Sequence, residues 1–292
     1  MLSRALVLVL LCCLLTACHR EQTGSSARTL DVNGTTRTYH LYHPAGLTDP
    51  APLVVMLHGG FGSGDQAEKS YGWDAKADAG HFLVAYPDGV NHAWNTGGGC
   101  CGTPGRENTD AVRFISAMID AIGAEVSIDH NRVYATGISN GGIMAYTLAC
   151  HTTLFAAIGP DSATQLGPCA NPAPVSLIHI HGTADKNIPY NGGEGDGFAH
   201  INGPPAPALN ATWREIDHCP PPSITTSGAV TASVAACPDG HAVALVTIEG
   251  AGHQWPGSTL TPAQRVLPVD TPSTALDATS VIWQFFAEHP RP

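Results

Sequence analysis

Residues 132–141 read Arg132-Val-Tyr-Ala-Thr-Gly137-Ile138-Ser139-Asn140-Gly141, and an apolar stretch continues to Cys150. Arg132–Thr136 is a short β-branched and apolar run that predicts a strand, while Gly141–Cys150 has the spacing of a helix. The G-x-S-x-G motif therefore falls on a strand-to-helix turn, the context in which its serine is a nucleophile. At such a turn the serine backbone is strained and Oγ projects above the sheet, and Gly137 and Gly141 remove side chains where strand and helix pass closely. A glycine-rich turn with an idle serine is the alternative, so the motif has to be weighed with its surroundings.

Outward from this turn the pattern alternates. Short apolar runs predict strands at Leu53–Leu57, Phe82–Ala85, Phe155–Ile158, Val175–Ile180 and Ala242–Ile248. Helical spacing covers Thr109–Ile122, where Val112, Ile115, Ile119 and Ile122 recur and Gly123 is placed to end the helix, and it returns in Ala275–Glu288. Such alternation predicts an α/β fold with a mostly parallel central sheet and helices on both faces, with the extended segment Thr36–Tyr42 adding antiparallel pairing at one edge. No internal repeat is visible. The Gly- and Pro-rich stretch Tyr190–Pro207 reads as a surface excursion or lid.

Two later loops complete a constellation. His181-Gly182-Thr183-Ala184-Asp185 follows the strand Val175–Ile180, and Gly250-Ala251-Gly252-His253-Gln254-Trp255-Pro256-Gly257 follows Ala242–Ile248. The chain order Ser, Asp, His at the carboxyl edge of one sheet is that of an elbow serine with its acid and base. Neutral His253 would take the Ser139 proton, and Asp185 would fix its tautomer and stabilise the imidazolium. The loop His58-Gly59-Gly60-Phe61-Gly62 can offer backbone N–H groups to an oxyanion beside the Asn140 N–H; Gly60 is favoured, with Phe61 second. His58 reads as a structural member of that loop. His179 and His181 alternate on a strand, but two ligands without a third make no metal site, so neither metal nor cofactor is expected.

The 292 residues carry 13 Lys+Arg against 24 Asp+Glu, a net charge of -11 that argues against a nucleic-acid partner. With 43% hydrophobic and 13% charged residues the chain is folded and globular, one domain by default. At the start, Arg4 precedes an apolar run from Ala5 to Leu15 that is too short to span a bilayer and suits a signal peptide over 1–17. Leu15-Thr16-Ala17-Cys18 resembles a bacterial lipobox, which makes Cys18 the lipidated residue; an ordinary signal peptide with a coincidental cysteine is the alternative. The expected organisation is then a lipidated Cys18 with a polar tether over 18–30 and a catalytic domain over 31–292, in the cell envelope or periplasm, touching membrane only through its lipid. Beyond Cys12, Cys13 and Cys18, the chain holds Cys100, Cys101, Cys150, Cys169, Cys219 and Cys237. An even number in an oxidising compartment suggests three disulfides out of about 15 connectivities. Pairing Cys150 with Cys169 and Cys219 with Cys237 would close short loops and leave Cys100–Cys101 vicinal. Thiolate zinc binding is disfavoured because no CxxC spacing exists.

Taken together, His58-Gly-Gly-Phe-Gly-Ser63, Tyr86-Pro-Asp-Gly89, Trp94-Asn95, Cys100-Cys101-Gly102, Gly137-Ile-Ser139-Asn-Gly141, His181-Gly-Thr-Ala-Asp185 and Gly250-Ala-Gly-His253-Gln-Trp-Pro-Gly257 resemble the polyhydroxybutyrate-depolymerase-like and feruloyl-esterase-like carbohydrate esterases. Within that group the chain is most similar to the exported lipoprotein esterases of the LpqC type. The similarity runs from about Thr36 to the C-terminal helix. It implies an α/β-hydrolase fold and hydrolysis of carboxylic esters through an acyl-enzyme, with Ser139 as nucleophile, Asp185 as acid and His253 as base. Trp94, Trp255 and Phe61 are the implied substrate contacts.

Each aromatic also has a plainer reading. Trp255 could only pack the loop that holds His253, Trp213 and Trp283 sit in predicted helices and read as core, and Asp110 favours a helix N-terminus. No carbohydrate- or polyester-binding domain is appended, so the polymer in the family's name is not taken as substrate; hydroxycinnamoyl, acetyl or 3-hydroxyalkanoate esters fit as well. The competing reading is a lipoprotein that uses the same scaffold to bind a ligand without turnover, or to transfer the acyl group to an acceptor other than water. Acyl and alcohol groups and oligomeric state are not legible in the sequence.

Overall fold

The computed structural model describes residues 23–260 and 269–292. The signal segment, Cys12, Cys13 and the expected lipidation site Cys18 lie outside the described residues. The chain enters the sheet in β1 (Gly24–Val32), which returns as β2 (Thr35–His43) through the two-residue turn Asn33-Gly34. Both turn residues have positive φ, 55° and 78°, as Asn-Gly hairpin turns require. Residues 24–30, expected in the tether, are therefore part of the sheet: inward Leu30 and Val32 pack on the core, and Arg28 pairs with Glu125 at 2.9 Å.

Strand β3 (Ala51–Leu57) is followed by α1 (Gly64–Tyr71), α2 (Trp73–Gly80) and β4 (Leu83–Pro87). The short α3 (Gly102–Arg106) precedes α4 (Ala111–Glu125), β5 (Ile128–Ile138), α5 (Asn140–His151), β6 (Ala157–Asp161) and β7 (Ser176–Gly182). The excursion after β7 carries a two-residue pair, β8 (Gly193–Glu194) and β9 (Asn202–Gly203), and leads into α6 (Ala206–Ile216). A hairpin of β10 (Ser223–Ser227) and β11 (Val230–Ala236), then β12 (Ala242–Ile248) and α7 (Ala278–Glu288), complete the described chain.

Ten strands form one sheet in the order β1-β2-β4-β3-β5-β6-β7-β12-β11-β10. From β4 to β12 all neighbours are parallel; antiparallel pairing is confined to the two flanks. The centre is buried on both faces, as parallel sheets are, and strand periodicity divides β3 between them: Leu53, Val55 and Leu57 join one core, Val54 and Met56 the other. The first core is closed by Phe114, Ile115, Met118, Ile119 and Ile122 of α4 with α5 and α6, the second by Ala67 of α1, Trp73 of α2, and Ile282, Phe285 and Phe286 of α7. Each large side chain so buried contributes roughly 1.5–3 kcal/mol.

Gly123 does not end α4. It lies within the helix, where its bare Cα lets Ile128 of β5 approach, and the helix stops at Glu125 with the Val126 N–H on the Ile122 carbonyl at 2.9 Å. Cys150 bonds to Cys169, Cys219 to Cys237 and Cys100 to Cys101. The first of these ties the end of α5 to the approach to β7, and the second ties the end of α6 to the end of β11.

Candidate active site

Ser139 is the single residue between β5 and α5, with φ 55° and ψ −123°, a conformation costly for a side-chain-bearing residue and held by its surroundings. Its N–H donates to the Asp161 carbonyl on the next strand at 3.0 Å, and its carbonyl accepts the Ile143 N–H at 2.8 Å. The glycines have steric reasons. A Cβ on Gly137 would stand 2.6 Å from the Leu57 carbonyl oxygen, one on Gly141 would collide with that same carbonyl, and one on Gly142 would meet the Ala163 Cβ at 2.6 Å. Strand and helix are thus pressed together so that Ser139 stands at the carboxyl edge of the sheet.

The loop after β3 lies against this turn. A Cβ built on Gly60 would stand 4.0 Å from the Asn140 Cβ, so the two backbones lie side by side. The Phe61 N–H is committed to the His92 carbonyl at 2.8 Å, which removes the second-ranked oxyanion donor. The Asn140 N–H, at the first position of α5, has no partner within the helix. His58 holds the loop: Nδ1 donates to the Gly59 carbonyl at 2.7 Å and Nε2 accepts the Gly89 N–H at 2.9 Å, which fixes its tautomer. Burial pushes its pKa down, so it stays neutral in this structural role. Asp88, next to Gly89, accepts the Gly64 N–H at 2.8 Å and the Thr38 hydroxyl at 2.7 Å, so the Tyr86–Gly89 motif braces the same loop.

Two strands further on, Asp185 follows β7 and His253 follows β12. His253 Nδ1 donates to Asp185 Oδ2 at 2.8 Å. Asp185 Oδ1 accepts the N–H groups of Asn187 and Ile188, each at 2.9 Å. Burial pushes the Asp185 carboxyl up, but donation from His181 and His253 outweighs it and holds the group well below the usual carboxylate range. With Nδ1 as the donor, the free nitrogen of neutral His253 is Nε2. The His253 loop is fastened by Asp270, whose Oδ2 accepts the His253 N–H at 2.7 Å. Asp270 was not singled out in the sequence, where an aspartate in a Pro- and Thr-rich loop gives no signal.

Neither tryptophan is a cleft wall. Trp94 is 1% exposed; its indole N–H donates to the His58 carbonyl at 2.9 Å, and its backbone N–H and carbonyl engage Asn140 Oδ1 and Nδ2 at 2.7 and 3.1 Å. Trp255, also 1% exposed, donates to Thr279 Oγ1 at 3.0 Å and packs on Tyr71 and Trp73. Both indoles have spent their polar edge inside the protein, where they brace the turn at Asn140 and the loop that holds His253. Phe61 is 80% exposed and meets Phe198, 87% exposed, edge to face at 5.6 Å between ring centres. Phe198 belongs to the 190–207 excursion and was likewise not singled out. The vicinal Cys100–Cys101 pair packs against Ile143 of α5, Ile188 and Ile201, beneath that excursion.

A mostly parallel sheet with helices on both faces, carrying a strained serine after β5 and an Asp–His pair after β7 and β12, defines an α/β hydrolase, and the chain is a carboxylic ester hydrolase. It belongs to the esterase PHB depolymerase family, whose model matches residues 37–184. A protein designated an esterase, NocK of Nocardia uniformis subsp. tsuyamanensis, is 31% identical over 260 residues, covering 80% of this chain and 75% of its own length. Feruloyl esterase C of Emericella nidulans is 28% identical, covering 87% of this chain and 84% of that protein. Feruloyl esterase B of Piromyces equi is 30% identical, and the match spans 72% of this chain but 41% of that protein. Among solved structures, the acetyl xylan esterase from Aspergillus awamori superposes with a TM-score of 0.62 at 15% identity, covering 90% of this chain and 99% of that one, a likeness of fold.

Proposed function

We propose that Ser139, His253 and Asp185 form the catalytic triad of a serine esterase that works through an acyl-enzyme. The observation that carries this is the 2.8 Å bond from His253 Nδ1 to a buried, ionised Asp185, which leaves Nε2 free to act as the base. His253 Nε2 takes the Ser139 proton as Oγ attacks the ester carbonyl carbon. The carbonyl oxygen becomes an oxyanion that accepts the N–H groups of Gly60 and Asn140. Collapse of this intermediate breaks the ester C–O bond, and His253 returns the proton to the departing alcohol oxygen. Water then repeats the sequence on the Ser139 ester and releases the carboxylic acid.

The exposed edge-to-face pair of Phe61 and Phe198 stands beside the oxyanion turn and supports an aromatic acyl ester of the hydroxycinnamoyl kind as substrate. The names of the related feruloyl esterases point the same way. Three disulfides support an exported enzyme, and Cys18 is the proposed lipid anchor. A fluorophosphonate probe tests the reaction class. The protein should gain one adduct by intact mass, and Ser139→Ala should gain none and lose ester turnover with an unchanged far-UV spectrum. Turnover retained in Ser139→Ala would overturn the assignment.

A further inference from the structure

The acid of the proposed triad is the end of a longer hydrogen-bonded line. His179 and His181 sit two residues apart on β7 and share a face of it, directed at α5. Tyr146 of α5 approaches His179 Nδ1 with its hydroxyl at 3.0 Å, and His179 Nε2 approaches His181 Nδ1 at 2.9 Å. His181 Nε2 then lies 2.8 Å from the Ile188 carbonyl and 3.4 Å from Asp185 Oδ2. Tyr146 and His179 are 0% exposed and His181 1%, so these groups are shielded from bulk water.

With His181 uncharged, the identity of its partners fixes the direction of every bond. Ile188 O and Asp185 Oδ2 can only accept, so His181 Nε2 carries a proton. In neutral His181, Nδ1 is then an acceptor, which makes His179 Nε2 a donor and His179 Nδ1 an acceptor for the Tyr146 hydroxyl. Burial keeps the Tyr146 phenol protonated and, with His181 beside it, keeps His179 uncharged. All donors therefore point one way, towards Asp185.

We infer that His181, oriented by His179 and Tyr146, is a positioning residue whose Nε2–H, bonded to the Ile188 carbonyl, also lies 3.4 Å from Asp185 Oδ2 and so tempers how strongly Asp185 holds the His253 imidazolium. The inference rests on the triad reading above. Its physical content is a balance at one oxygen. Oδ2 carries the negative charge that stabilises the protonated base, and an N–H from the opposite side withdraws part of it. From β6, Asp161 faces the same carboxylate; burial and the nearness of Asp185 push Asp161 well above the usual range, against the opposing effect of the Ser162 hydroxyl. The remaining groups around Asp185 are His253, with Asp270 behind it, and Tyr190, whose ring meets that of His181 at 5.7 Å. Without the His181 N–H, Asp185 is more basic and binds the imidazolium more tightly, so the protonated, inactive site persists to higher pH.

The test is the pH dependence of kcat/KM for 4-nitrophenyl acetate, measured on the whole exported chain and on His181→Leu, His181→Gln, Tyr146→Phe and Ser139→Ala. His181→Leu should move the acid limb upward by about half a pH unit or more, with KM within about twofold. His181→Gln keeps an N–H at the position of Nε2 and should restore the limb. Tyr146→Phe should shift it in the same direction by less, and it decides the matter if His181→Leu does not fold. In the Ser139→Ala background, the low-field proton resonance of the His253 Nδ1–H should move when His181→Leu is added, a readout that needs no turnover. An acid limb and resonance unmoved by His181→Leu and Tyr146→Phe, with turnover abolished by Ser139→Ala, would overturn the relay alone. Turnover that survives Ser139→Ala would overturn the triad reading on which it stands.

Discussion

His253 Nδ1 and Asp185 Oδ2 are 2.8 Å apart although 68 residues separate them in the chain. The parallel pairing of β7 with β12, in register from Val243 on Leu177 to Ile248 on Gly182, sets the two following loops side by side. The Ala184 N–H donates to the Ala251 carbonyl at 2.9 Å and closes the gap between them. Gly182 is required there, since a Cβ would strike the Ala251 backbone.

Asp185→Asn keeps the size of the side chain but offers His253 a neutral amide. It should lower kcat by about four orders of magnitude, because the base loses its tautomer and its counter-charge. Asp161→Asn, one strand nearer the serine, is the matched control and should retain most activity. Steady-state kinetics on both variants checks the choice of acid; the opposite ranking would move it to Asp161.

The aromatic pair makes a separable claim about substrate. Phe61→Ala and Phe198→Ala should each reduce kcat/KM for methyl ferulate about tenfold, the scale of one lost aromatic contact, and leave methyl butyrate within about twofold. Equal losses on both esters would remove these rings from acyl recognition.

Asp217 offers a test of stability away from the site. It is 3% exposed, accepts the Val175 N–H at 3.3 Å through Oδ1, and has no partner for Oδ2. Burial pushes its carboxyl up to about 7. The unfolded chain ionises near pH 3.9, so the folded protein binds the proton more tightly and loses stability as pH rises from about 4 to about 7. Asp217→Asn has no such proton to lose. Its Tm relative to the parent should climb across that window by several degrees and then level off, as scanning calorimetry at stepped pH would show; a constant difference would mean that the carboxyl titrates normally in the folded state.

Anchoring through Cys18 predicts that the protein expressed with residues 1–17 partitions with membranes and that Cys18→Ala releases it into the soluble exported fraction. Fractionation followed by the intact mass of the mature chain checks this. Retention of Cys18→Ala on membranes would assign the attachment elsewhere.

The parallel centre of the sheet and its chemistry were readable because they rest on strong local signals: fully apolar runs, glycines at a strained turn, and Ser, Asp and His in order after successive strands. The flanks were harder. In β1 the inward positions are Gly24, Ser26, Arg28, Leu30 and Val32, so polar residues interrupt the period of two, and in β10 every residue is exposed. The Asn33-Gly34 turn was the overlooked clue to the first hairpin. Trp94 and Trp255 were misplaced because closeness in sequence to a reacting group does not say which way a ring turns, and both turn inward to satisfy an N–H. The His179–His181 alternation was visible, but its partner Tyr146 comes from another helix, a contact that periodicity does not encode.

The sheet order also sets a sequence of failure on heating. Four strands lie outside β5 on one flank and five on the other, each flank ends in an antiparallel hairpin, and the outermost strands β1 and β10 have no fully buried residue. Local opening starts where buried contacts are fewest, so the margins exchange amide protons early while the strands beneath Ser139 stay protected until the whole domain melts. Turnover should then vanish together with the near-UV signal, with no inactive but folded interval between them.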